Sequence, residues 1–112
     1  MYNYLTPLEV GMSYEDVQVK QLGNGYELTK PLDVKIFRRP VKGSLFSAVD
    51  QSLDCDLQGW GHTPEIALGI LVTEYDDAFH KFIEGPHFEI FREVHDETWE
   101  RIQEYVDVSD SV

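Results

Sequence analysis

The sequence predicts an α+β domain, an antiparallel sheet of four to five strands followed by two carboxy-terminal helices packed on one face. Two observations carry this. Apolar and polar residues alternate with a period of two through the first half of the chain, and after Thr63 the period becomes that of a helix. The order, strands first and helices second, is that of helices gathered on one side of an antiparallel sheet.

The strands follow from the alternation. Val17, Gln18, Val19 and Lys20 alternate as a strand with one buried face does. Gly23, Asn24 and Gly25 tolerate the positive φ of a tight turn, and Tyr26, Glu27 and Leu28 resume the alternation, which is a hairpin pattern. Leu32, Val34 and Ile36, interleaved with Asp33 and Lys35, predict a third strand ended by Arg39 and Pro40. A turn over residues 40–43 leads to a fourth strand at Leu45, Phe46, Ser47, Ala48 and Val49. A short fifth strand is predicted over residues 57–60.

The helices follow from capping and spacing. Thr63 is the predicted N-cap, with Pro64 at the first helical position and Glu65 beside the positive end of the helix dipole. Ala67, Leu71, Tyr75, Ala78 and Phe82 recur at helical spacing, Leu68 and Phe79 widen the stripe, and Gly85 with Pro86 ends it. Phe88, Phe91, His95, Trp99, Ile102 and Val106 form the apolar face of a second helix. A start after Asp96, with residues 88–91 extended, fits the same residues.

A chain of 112 residues is expected to be one domain over residues 1–112, with residues 1–9 and 108–112 as frayed ends. With 42% hydrophobic and 12% aromatic residues it is a folded protein whose acid decorates a surface. The longest apolar run, near residues 66–72, is too short to span a bilayer. The amino terminus lacks the features of a signal peptide, and Cys55 as sole cysteine excludes an internal disulfide, so a cytoplasmic location is expected. The net charge of −12 is unevenly spread: residues 20–42 hold Lys20, Lys30, Lys35, Arg38, Arg39 and Lys42, whereas carboxylates dominate after Ser44. Such a field repels nucleic acid and anionic membranes and attracts basic surfaces.

Residues 45–49 and 61–68 resemble the HicB-like family, the antitoxin-type partners of small toxin ribonucleases. Ala48, Gly61, Thr63, Glu65, Ala67 and Leu68 stand at roughly the family's places for a strand, a loop ending in glycine, and a helix opening with acid and alanine. The departures are specific. Leu53, Asp54, Cys55 and Asp56 replace the family's proline-glycine-cysteine turn, Gly59 and Trp60 are additional, and the amino-terminal hairpin is extra. No ribbon-helix-helix or helix-turn-helix pattern follows. The resemblance implies a small sheet-and-helix module that binds a protein partner.

Among candidate site residues, Glu89, Glu93, Glu97, Glu100 and Glu104 recur every three or four positions and line one helical stripe. Like charges at this spacing cost an isolated helix a few tenths of a kcal/mol per pair, only partly relieved by Arg92 and Arg101. The stripe reads either as a docking surface, imitating a row of phosphates, or as an ordinary solvated face. Lys35, Arg38, Arg39 and Lys42 would guard a strand edge or make an internal or dimeric salt contact with the acidic helix. Trp60 between Gly59 and Gly61 reads as an interface anchor or as a plug inside the sheet-helix junction.

No chemistry stands out elsewhere. His80 and His87 flank Glu84, and His95 lies two turns further, but no pair has common zinc spacing, so neither metal nor cofactor is expected. Asp54 and Asp56 flank Cys55 and would suppress its thiolate. Ser44, Ser47 and Ser52 lack a nucleophile elbow, and residues 23–25 form a turn and not a phosphate loop. Asp76 with Asp77 reads as a charged helix face. The expectation is a non-enzymatic protein that binds a basic protein partner through the acidic stripe and Trp60, with neither direct nucleic-acid nor membrane binding; a homodimer is compatible. The partner would be a toxin ribonuclease, for a HicB-like regulator, or a nucleic-acid-binding protein, for a stand-alone phage-type inhibitor or mimic. A small-ligand module or enzyme is the third class.

Overall fold

The computed structural model describes residues 13–23, 26–39, 45–53 and 55–107. In these residues β1 (Ser13–Gln21), β2 (Glu27–Arg39), β3 (Leu45–Asp50) and β4 (Gln58–Gly61) form one antiparallel sheet in chain order. The helices α1 (Pro64–Ile83), α2 (Phe88–Val94) and α3 (Asp96–Tyr105) follow. This is the expected α+β fold. The predicted ends at residues 1–9 and 108–112, and the turn at 40–43, lie outside the described residues.

Two elements differ from expectation. The predicted second and third strands are one 13-residue strand, β2, which continues through Pro31. The β1–β2 register shifts between Val19 and Gln21, so the ladder is irregular beside Pro31 and makes no demand on its missing N–H. Residues 88–106, expected as one helix or as an extended 88–91 followed by a helix after Asp96, are two helices: 88–91 is helical in α2, and α3 begins at Asp96, the two divided at His95 with φ −118° and ψ 54°. The bonds continue across the division: the His95 amide donates to Phe91 O at 2.9 Å and the Trp99 amide to His95 O at 2.9 Å.

The core lies between one sheet face and the helices. Val17 and Val19 pair in register with Val34 and Leu32, and Ile36 pairs with Ala48, so these residues share the inner face. They meet Ala67, Leu71, Tyr75, Phe79 and Phe82 of α1, and Ile102 and Tyr105 of α3, in one buried cluster. Each large apolar side chain so buried contributes about 1.5–3 kcal/mol. Thr63 caps α1 as predicted, its Oγ1 accepting from the Ile66 amide at 3.1 Å.

The approach of α1 to β4 depends on glycine. A Cβ at Gly59 would lie 2.2 Å from Ala67 O and 2.6 Å from Leu71 N, and one at Gly61 would lie 2.5 Å from Ile66 Cγ2. The helix therefore rests directly on the strand backbone. Further along, α1 holds the residues on either side of the predicted turn, whose residues 24–25 lie outside the described ones: the Gly23 amide donates to both Asp76 oxygens at 3.0 and 3.2 Å, and the Tyr26 hydroxyl donates to Glu84. The chain returns to the sheet where Val106 bridges Leu28 beside β2. The Thr29 hydroxyl, donating to Glu104 O at 3.0 Å, anchors the end of α3 there.

Candidate functional site

The acidic stripe is built on α2 and α3, whose inner sides are held by aromatic rings. Arg92 Nε donates to the Phe82 carbonyl at the end of α1 at 2.7 Å. Its guanidinium lies 4.0 Å from the Trp99 ring centroid and 4.6 Å from that of Phe88. Trp99 stacks on Phe82 at 6.0 Å with only 6° between the rings, and Phe91 meets Phe82 edge-on at 6.0 Å. His95 stacks on Phe91 at 6.0 Å. A planar cation between two rings and a carbonyl is a role for arginine that lysine does not fill. With Phe91, Arg92 and Trp99 half-buried on the inner side and His95 exposed, α2 buries none of its residues completely, and Glu89, Ile90, Glu93 and Val94 face solvent.

The five predicted glutamates are all exposed, but they do not form one continuous row. Glu89 and Glu93 lie on α2, and Glu97, Glu100 and Glu104 lie on α3, beyond the division at His95. Glu104 pairs with Lys30 of β2 at 3.5 Å, while among the described residues no ion pair forms at Glu89, Glu93, Glu97 or Glu100. The basic segment does not guard an edge, because β2 lies inside the sheet and the edges are β1 and β4. Its contact with the acidic helices runs through Lys30, whereas Lys35 pairs with Asp16 of β1 at 3.8 Å and Arg38 is exposed. Lys42 lies outside the described residues.

Trp60 belongs to a different surface. It lies on strand β4 and not in a loop, opposite Ser47, with its side chain 43% exposed on the outer sheet face. The plug reading is thereby overturned: Gly59 and Gly61 meet the helix, and alternation turns Trp60 away. Arg39 packs between two rings there, 5.2 Å from the Trp60 centroid and 5.3 Å from that of Phe37, with Nε donating to Ser47 Oγ at 3.1 Å. β4 leads into the start of α1, whereas α2 and α3 follow its end and fold back along the opposite layer from the outer sheet face that carries Trp60. The structure does not unite them in one site.

One buried polar cluster was not anticipated. Asp50, at the end of β3, accepts from the Tyr75 hydroxyl at 2.5 Å, the Ser52 amide at 2.9 Å and the Leu53 amide at 3.0 Å. Burial, and then the hydrogen bond to and charge of Asp50, raise the Tyr75 phenol well above its ordinary pKa. The cluster ties the loop after β3 to α1. The signal was in the sequence: Asp50 follows Phe46 and Ala48 at strand period, a polar residue at an inner position. The thiol of Cys55 lies 4.0 Å from Asp50, so a carboxylate five residues away reaches it; Asp54 is outside the described residues and Asp56 is exposed. Asp76 and Asp77 divide their work, the first binding the Gly23 amide and the second pairing with Lys81 at 3.1 Å. Among the described residues, no three of His, Cys, Asp and Glu are grouped to hold a metal ion.

A groove of about 240 Å³ runs between α1 and the α2–α3 pair. Leu57, Ala78, Phe82 and Phe91 supply its apolar lining, and Glu74 and the paired Asp77 and Lys81 supply its charges. No helix among the described residues is long and apolar enough to cross a membrane.

No family model matches the chain, and neither curated proteins nor solved structures contain a significant match. The residues that carry the HicB-like resemblance each have a local physical role here. Ala48 and Ala67 are fully buried, Gly61 admits α1, Thr63 caps it, Glu65 lies in its first turn and Leu68 packs against the core.

Proposed function

We propose that this protein is a binding module for a basic protein partner, received on the acidic surface of α2 and α3. One observation carries the reading: Glu89, Glu93, Glu97 and Glu100 have no ion pair among the described residues, on helices whose inner sides are fixed by the Arg92 and Trp99 stack. Repulsion among such unpaired carboxylates is relieved when a cationic surface docks. The HicB-like resemblance makes a small toxin ribonuclease the first partner to seek, with this chain as its neutralising regulator. The division of the stripe at His95 weighs against a mimic of a regular phosphate row. Trp60, on the other face, is left to a separate contact.

The test compares capture from host lysate by the wild-type chain and by a Glu93→Lys, Glu97→Lys, Glu100→Lys variant, at low and high salt. A single small basic protein should be retained by the wild type at low salt, released by high salt and lost by the variant, with far-ultraviolet dichroism unchanged. Retention equal in both chains, or no basic protein at low salt, would end this reading. A captured nucleic-acid-processing enzyme in place of a toxin would move the assignment to the stand-alone inhibitor.

A further inference from the structure

The surface that carries the unpaired carboxylates also exposes the two least covered large hydrophobic side chains among the described residues. Ile90 is 58% exposed and Val94 is 65% exposed. They stand four residues apart on α2, one turn of helix, so their side chains form a short apolar ridge. Glu89 and Glu93 border the ridge on α2, and Glu97 lies beyond the division at His95, in the first turn of α3. Ile66 and Ile70 of α1 are also exposed, but Ile90 and Val94 are the more exposed pair and are each preceded by a glutamate of the unpaired set. An apolar centre with a charged rim is the arrangement of a protein interface, in which the centre is desolvated and the rim orients the partner.

We infer that this ridge receives an amphipathic basic α-helix of the partner, apolar along one stripe and rich in lysine or arginine on either side of it. The inference rests on the proposed function and specifies what the partner presents. Two features select a helix. An i, i+4 ridge is the half of a ridge-into-groove contact that a second helix completes with its own i, i+3 and i, i+4 rows. The acidic surface also lies on helices, so it presents no strand edge along which an extended chain would pair. The groove between α1 and α2, with Phe82 and Phe91 in its lining, lies beside the ridge and offers a place for one apolar side chain of the incoming helix. Charge excludes a helix of a second copy as the occupant. α1 holds Lys81 against Glu65, Glu74, Asp76 and Asp77, and α3 holds Arg101 against Asp96, Glu97, Glu100 and Glu104. Neither helix is basic.

The experiment titrates two synthetic peptides of about 18 residues, long enough to form a helix on a surface, into the full chain. Both contain the same leucines and lysines, one with leucine at helical i, i+3 and i+4 spacing and the other with that order scrambled. Binding is followed by calorimetry and by amide chemical shifts. The patterned peptide should bind at least about tenfold more tightly than the scrambled one and shift the amides of α2. An Ile90→Ser, Val94→Ser variant should remove that tenfold preference and leave the salt dependence unchanged, because exposed side chains are exchanged and every charge is kept. Equal binding of both peptides, or a preference that survives in the serine variant, overturns the inference while the acidic docking surface stands. Failure of both peptides to bind at low salt overturns the docking surface and the inference together.

Discussion

At the scale of single residues, the buried pair of Tyr75 and Asp50 shows how one polar residue at an inner strand position is made tolerable. The carboxylate gains the phenol and two backbone amides as donors, and the short loop after β3 is held as a consequence. Because burial and Asp50 keep the phenol protonated in the fold, its pKa is raised relative to the unfolded chain. The stabilisation is complete below the unfolded value of about 10 and is lost as pH rises above it, at about 1.4 kcal/mol per pH unit. Tyr75→Phe removes one donor from Asp50, so at about pH 9 it should cost about 1–2 kcal/mol in urea unfolding. That deficit should shrink as the pH is raised to about 11, since the variant has no phenol to ionise there. A deficit that stays constant across this range would show that the phenol is not held protonated by the fold.

At the scale of elements, the contact of α1 with β4 depends on what is missing from the strand. Gly59 leaves the space that Ala67 O and Leu71 N occupy, whereas Gly69, exposed on α1, has nothing within 4 Å of where a Cβ would be. The same substitution at these two positions should therefore act in opposite directions. Gly59→Ala forces the helix off the sheet and should destabilise by about 3 kcal/mol, or prevent folding. Gly69→Ala removes a helix-interior glycine and should stabilise by about 0.5–1 kcal/mol, seen as a higher melting temperature. The sequence showed that glycine flanks Trp60, but it left the tryptophan as either anchor or plug. The choice depends on which side of β4 the helix covers, and strand alternation alone does not say that. The same holds for the break at His95: the apolar spacing admits either one helix or a start after Asp96, and the packing of Arg92 and Trp99 against the end of α1 goes with two helices.

At the scale of the whole molecule, three ion pairs among the described residues stand against a large excess of acid. Among the described residues only Lys30–Glu104, Lys35–Asp16 and Lys81–Asp77 pair, every partner at least 38% exposed in its side chain, and such pairs contribute little each. Self-repulsion of a net charge of −12 then works against the compact state. Raising the salt from about 20 mM to about 300 mM should raise the melting temperature by about 2–5 °C, as screening relieves more repulsion than attraction. A fall on adding salt would show that the ion pairs outweigh the repulsion.

What the sequence determined by itself is whatever depends on neighbours along the chain. Alternation in residues 17–36 and 45–49, the cap at Thr63 and the stripe from Ala67 to Phe82 specified strands, a helix and their order, and the order implied the α+β class. The exposed acid of α2 and α3 was legible in the same way, from spacing alone. Only the tertiary structure decided which charges meet, because that depends on distances between residues far apart in sequence. It drew Glu104 to Lys30, left Glu93 and Glu97 without a partner among the described residues, and turned Trp60 to the opposite face. It also set Ile90 and Val94 outside the core, since Arg92 and Phe91 had already filled the inner side of a helix only seven residues long.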